Sequence, residues 1–108
     1  MFIVVIMPNF VKVASTSDLN SGENKVVSVN GTEVALFNVD GEFFATSNVC
    51  LHRGGPLGEG FLESDVVTCP WHGWRYNVKT GENVTIPTAK VASYKVKVEG
   101  NDILVAVD

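Results

Sequence analysis

Apolar and polar side chains alternate in short runs at both ends of this chain. Phe10 to Ala14 alternates, Lys25 to Val29 is rich in Val, and Thr32 to Val39 and Glu42 to Thr46 follow. A period of two is the signature of strands with one face on a core. Asn30-Gly31 and Asp40-Gly41 separate the runs, and both pairs tolerate the positive φ angles of a tight hairpin turn. The pattern returns near the C-terminus: Val91 to Val98, a turn at Glu99 to Asp102, then Ile103 to Val107. No apolar period of 3.6 extends over ten residues, so the expected class is all-β. Met1 to Met7 is apolar and stopped by Pro8. It is far shorter than the roughly 20 residues of a membrane span and reads as an extra strand, or as a start placed early with Met7 the natural beginning.

The middle of the chain has a different texture. Residues 53–60 read RGGPLGEG, a composition that neither helix nor sheet tolerates easily. Asp65 to Thr68 is a short strand, and Lys79-Thr80-Gly81 is another turn. No repeat or linker divides the sequence. The expected organisation is therefore one domain, 1–108, an antiparallel β-sandwich with a Gly-rich subdomain inserted at about 47–87.

Composition narrows the partners. Eight Lys and Arg against twelve Asp and Glu give a net charge of −4, and 45% of residues are hydrophobic. Such a chain folds, and without a basic run it has no electrostatic footprint for nucleic acid or an anionic membrane. A cytoplasmic location is expected. Arg53, Glu59, Glu63 and Asp65 read as solvated loop charges. The glycines at 54, 55, 58 and 60 do not form a phosphate loop, because no strand, Gly-rich turn and helix with a Lys accompany them.

The chain has only two Cys and two His, and all four fall between positions 50 and 72. They form two pairs, Cys50-Leu51-His52 and Cys69-Pro70-Trp71-His72, with sixteen residues between. Each pair follows a predicted strand in a Gly-rich turn, so two facing tips would offer two sulfur and two nitrogen ligands. A Cys50–Cys69 disulfide would be unusual in a reducing compartment and leaves the matched His unexplained. Chance placement of two core Cys fits poorly with Gly-rich tips. Tetrahedral zinc is the stronger rival, although zinc fingers usually place a Cys pair first and a His pair second. One of each per turn suits a binuclear centre with soft and borderline ligands on different metals.

Cys-x-His, sixteen residues, then Cys-x-x-His resembles the Rieske iron–sulfur motif. The likeness extends to HRGGPLGEG at 52–60, CPWHGW at 69–74, Thr80-Gly81-Glu82 and the Ile86-Pro87 loop. The resemblance implies a 2Fe-2S cluster with Cys50 and Cys69 on one iron and His52 and His72 on the other. Leu51, Trp71, Trp74, Tyr76 and Pro87 are then expected around the cluster. Gly55 and Trp71 stand where respiratory members carry a disulfide, Trp74 stands at their Ser position, and Tyr76 matches their Tyr. The sequence is thus similar to the soluble, low-potential ferredoxin branch found in ring-hydroxylating oxygenase systems.

That resemblance implies a one-electron carrier, expected to be a monomer, between a flavin-dependent reductase and an oxygenase or similar acceptor, with His52 and His72 as the electron port. The alternatives are a small Rieske subunit of a larger redox enzyme, such as nitrite reductase, and a structural zinc-binding module. Rieske oxygenases themselves also need a mononuclear iron held by two His and a carboxylate. Two His in total cannot serve both centres, so no catalytic residue is expected.

Overall fold

The computed structural model describes residues 9–52, 54–71 and 73–107. The expectation for Met1 to Met7 therefore lies outside the described residues. Nine strands follow in order among them: β1 (Phe10–Ser15), β2 (Asn24–Val29), β3 (Thr32–Val39), β4 (Glu42–Ser47), β5 (Phe61–Glu63), β6 (Val66–Thr68), β7 (Arg75–Asn77), β8 (Ser93–Glu99) and β9 (Asp102–Ala106). Single 3-10 turns lie at Thr16–Asp18 and Leu57–Glu59.

Six strands form one sheet in the order β1-β9-β8-β4-β3-β2, and three form a second in the order β5-β6-β7. Every strand pairing is antiparallel. The predicted hairpin turns explain the register. Asn30 and Gly31 have φ of 50° and 84°, and Asp40 and Gly41 have φ of 51° and 92°. Positive φ at both central residues twists the chain in the sense of the flanking strands, so Val29 pairs with Thr32 and Val39 with Glu42.

The large sheet folds over at a short seam, where β4 meets β8 only through Ala45↔Tyr94 and Thr46↔Ser93. Its two halves enclose a core of Val27, Val29, Val34, Leu36, Ala45, Ile103 and Val105. A second core lies under the small sheet and contains Ala35, Phe37, Val39, Leu57, Val67, Tyr76, Val78, Val91 and both cysteines. Strand β3 serves both. Val34 and Leu36 face the first core while Ala35, Phe37 and Val39 face the second, as alternation along a strand requires. The small sheet and its loops are thus packed on a strand that is itself buried on both faces.

Some local features differ from the pattern in the sequence. Strands β5 and β7 have three residues each, too few for alternation to register. The turn between β5 and β6 carries Ser64 at φ 57°, without the glycine that marks the other turns. Val91 stands before β8 rather than in it. Its N–H donates to the Gly81 carbonyl at 2.9 Å, and a methyl at Gly81 would strike the Val91 carbonyl.

Candidate iron–sulfur site

The two segments that carry Cys and His are built alike. In the first, the Cys50 N–H donates to the Gly55 carbonyl at 3.0 Å and the Gly54 N–H to the Cys50 carbonyl at 2.8 Å. In the second, the Cys69 N–H donates to the Trp74 carbonyl at 2.7 Å and the Gly73 N–H to the Cys69 carbonyl at 3.1 Å. Each loop is closed from Cys to the residue five positions on. Each turns at a glycine four positions on, with φ of 72° at Gly54 and 75° at Gly73. A methyl at Gly73 would meet nothing within 4 Å, so this glycine is required by conformation rather than space. The shared Cys-to-Gly offset was present in the sequence but not used in reading it.

Gly55 is constrained by space instead. A methyl there would lie 2.6 Å from Cys69 Sγ and 3.1 Å from Trp71 Cγ. The first loop is therefore backed directly against the second. Two asparagines hold this arrangement to the large sheet. Asn48 Oδ1 accepts the Gly58 N–H at 2.7 Å and its Nδ2 donates to Glu33 Oε2 at 3.1 Å. Asn24 Nδ2 donates to the carbonyls of Gly58 at 2.8 Å and Gly60 at 3.1 Å. Both asparagines lay outside the sequence reading, which had no signal linking residue 24 to residue 58.

Cys50 and Cys69 are 2% and 3% exposed, and no bond joins their sulfurs. Tyr76 is fully buried beside them. Its hydroxyl lies 3.4 Å from Cys50 Sγ and accepts the Leu51 N–H at 3.2 Å. Burial, and then the hydrogen bond with Cys50, push the Tyr76 pKa up to about 12. The phenol thus keeps its proton over the whole physiological range.

His52 is exposed at the tip of the first loop. Its ring is stacked on Trp74, with centroids 4.7 Å apart and planes inclined by 5°. Trp74 in turn packs on the second core, so a surface imidazole is referenced to the interior. Leu51 and Trp71 are 52% and 58% exposed, whereas Leu57 is fully buried. Pro87 is exposed in the turn that the Ala89 N–H closes on the Ile86 carbonyl at 2.9 Å. That turn begins at Asn83, whose Oδ1 accepts the N–H groups of Thr85 and Ile86, both at 2.9 Å. A cleft of about 170 Å³ separates it from the second loop, lined by Gly73, Trp74, Arg75, Asn83, Thr85 and Ile86. His72 and Arg53 lie outside the described residues.

The donor set suits a binuclear iron–sulfur group. Two thiols are buried on facing loops, one of them 3.4 Å from a tyrosine hydroxyl, and an imidazole is exposed at the tip of the first loop. Buried thiolates with fixed donors and a partly exposed nitrogen ligand are what such a group needs from its protein.

Comparison with known proteins agrees. The Rieske [2Fe-2S] domain matches residues 9–105. The ferredoxin component of the naphthalene 1,2-dioxygenase/salicylate 5-hydroxylase systems of a Ralstonia species is 36% identical, over 93% of this chain and 97% of its own length. The solved ferredoxin of carbazole 1,9a-dioxygenase from Nocardioides aromaticivorans IC177 superimposes with a TM-score of 0.85 at 32% identity, covering 92% of this chain and 98% of that one. The ferredoxin fold also occurs in a solved complex of reduced oxygenase and oxidised ferredoxin in carbazole 1,9a-dioxygenase, with a TM-score of 0.83 at 33% identity over 90% and 92% of the two chains. A mixed Cys/His motif on two matched loops, a buried thiol pair and these relatives lead to one conclusion: the chain belongs to the Rieske family, and it is a ferredoxin, an electron carrier with a 2Fe-2S cluster.

Proposed function

We propose that this ferredoxin carries single electrons from a flavin-dependent reductase to the terminal oxygenase of a ring-hydroxylating system. In this reading Cys50 and Cys69 hold one iron and His52 and His72 the other, in one domain spanning 1–108 with the cluster held at about 47–87. The protein acts as a monomer in the cytoplasm. Among the described residues no helix is long and apolar enough to cross a membrane.

The observation that carries this reading is the contrast within the first loop. Cys50 is buried in the second core while His52, two residues on, is exposed. When bound, the cluster supplies reversible one-electron exchange. The chain does the rest. The buried thiol side keeps water from the sulfurs, and Tyr76 presents a fixed donor to one of them. His52, held on Trp74, provides a surface at which a partner approaches within electron-transfer distance. The exposed apolar side chains of Val49, Leu51 and Trp71 belong to the same two loops and give that surface the composition of a protein contact.

Rapid mixing of the reduced ferredoxin with the oxidised terminal oxygenase of a naphthalene dioxygenase system tests the proposal. Reoxidation that saturates with oxygenase concentration is expected. Reoxidation no faster than with dioxygen alone would reject an oxygenase as the acceptor.

A further inference from the structure

The two cysteine loops are alike at their tips but not at their bases. The second rises from a strand ladder, in which β6 and β7 pair through Val66↔Asn77, Val67↔Tyr76 and Thr68↔Arg75. Among the described residues the first has no such ladder. Its arms run from the end of β4 at Ser47 to the 3-10 turn at Leu57, and they meet in one isolated bridge, Val49↔Pro56. Asn48 stands directly below that bridge.

Asn48 is 3% exposed, and both its backbone and its amide are engaged. Its N–H donates to the Glu33 carbonyl at 3.3 Å, and its carbonyl accepts the Leu57 N–H at 2.8 Å. Its Oδ1 accepts the Gly58 N–H at 2.7 Å, and its Nδ2 donates to Glu33 Oε2 at 3.1 Å. The neighbours settle which way the amide points, because a backbone N–H can only donate and a carboxylate can only accept. One residue thus grips the far end of the loop and fastens it to the start of β3. Gly58 is fitted to that grip: a methyl there would lie 3.0 Å from Asn48 Oδ1 and 2.9 Å from the Lys25 carbonyl.

We infer that Asn48 is a positioning residue for Cys50 and His52, the two ligands of the first loop, and that Glu33 orients its amide. Asn48 does for this loop what β6–β7 pairing does for the second. The inference rests on the ligand set proposed above. In that set Cys50 and His52 serve different irons, so a shift at the base of the loop displaces a ligand of each. Groups that hold a ligand without touching the metal tune both its affinity and its electronics.

A double-mutant cycle on the cluster-loaded protein tests this. Asn48→Asp keeps an oxygen for the Gly58 N–H but sets a carboxylate against that of Glu33, and like charges so close repel. It is expected to retain less iron per chain than wild type and to shift and broaden the electron paramagnetic resonance spectrum of the reduced protein. Glu33→Gln alone leaves an oxygen for Asn48 Nδ2 and should stay near wild type. Added to Asn48→Asp, it returns an amide donor opposite the new carboxylate and should restore both iron content and spectrum. A wild-type spectrum in loaded Asn48→Asp would overturn the inference, even with a lowered melting temperature, because Asn48 would then support the fold and not the ligands. A double variant no better than Asn48→Asp would also overturn it. If Asn48→Asp takes up no iron, recovery of loading in the double variant decides the same question. Cys50→Ala tests the underlying ligand reading separately, since a variant that still loads with iron and sulfide removes Cys50 as a ligand whatever the cycle shows.

Discussion

The imidazole of His52 lies flat on the indole of Trp74, 4.7 Å between centroids and 5° between planes. The contact spans the two loops: His52 sits in the first, and Trp74 closes the second through its carbonyl to the Cys69 N–H. An aromatic pair of this kind contributes about 0.5–1.5 kcal/mol beyond the area it buries. Its larger effect is to hold the plane of an exposed ring parallel to a side chain packed on the second core. Trp74→Leu fills part of the volume but cannot stack, and should bleach faster than wild type under native conditions. Trp74→Phe should stay close to wild type. The decay of visible absorbance in air checks both, and equal rates for Leu and wild type would dismiss the stack as a support.

Gly55 predicts a separation between folding and loading. An alanine there places a methyl 2.6 Å from Cys69 Sγ and 3.1 Å from the Trp71 ring, overpacking that costs about 1–3 kcal/mol. The strain falls on a thiol and an exposed indole, not on the sheets. Gly55→Ala should keep the far-ultraviolet circular dichroism of the wild type while binding less iron per chain. A fully loaded variant with an unaltered visible spectrum would show that the two loops yield freely at this point.

Tyr76 should make the cluster-free protein sensitive to alkali. Its pKa is raised by burial, then by its bond to Cys50, from 10.0 to about 12. The unfolded chain therefore loses this proton first. Stability contributed by the neutral buried phenol is complete below pH 10 and is lost as pH rises toward 12, by at most about 1.4 kcal/mol per unit. Denaturant melts at pH 9.5 and 11.5 should show a larger fall for wild type than for Tyr76→Phe. Equal falls would mean that the phenol ionises in place.

The same hydroxyl, 3.4 Å from Cys50 Sγ, is expected to set part of the reduction potential. Rieske potentials span roughly −150 to +300 mV, and this chain is expected in the lower half. Trp74 has no hydroxyl to offer, and Gly55 and Trp71 replace a disulfide. A hydrogen bond to a charged acceptor is worth about 1.5–3 kcal/mol, and for one electron about 1.4 kcal/mol corresponds to about 59 mV. Only the difference between oxidised and reduced states counts, so Tyr76→Phe should lower the potential by tens of millivolts, up to about 100. Voltammetry showing no shift would place the Tyr76 proton elsewhere.

Much of this was legible in the residues. The alternating runs and the Asn30-Gly31 and Asp40-Gly41 turns specified β2, β3 and β4 to within a residue or two, because turn chemistry and period agree there. Strands β5 and β7 were not legible, being three residues long and formed by pairing to β6 rather than by their own pattern. The Cys and His positions stood out through spacing alone. What holds them did not: Asn24 reaches Gly58 across 34 positions, and Asn48 looks like an ordinary loop residue until the chain folds. Gly55 read as one of four loop glycines, yet it is the one that the Cys69 sulfur requires.

The central claim is that two imidazoles and two thiolates of this chain hold its cluster. With two Cys in all, a cluster ligated by four thiolates cannot form within one chain, and the proposal gives the second iron to histidine. Pulsed electron paramagnetic resonance on the reduced protein, labelled with nitrogen-15 in histidine only, reads this directly. The account predicts strong coupling of the reduced cluster to two labelled imidazole nitrogens, from His52 and His72, and to one in the single variant His52→Ala if a cluster persists. A reduced cluster with no coupling to labelled histidine would contradict it.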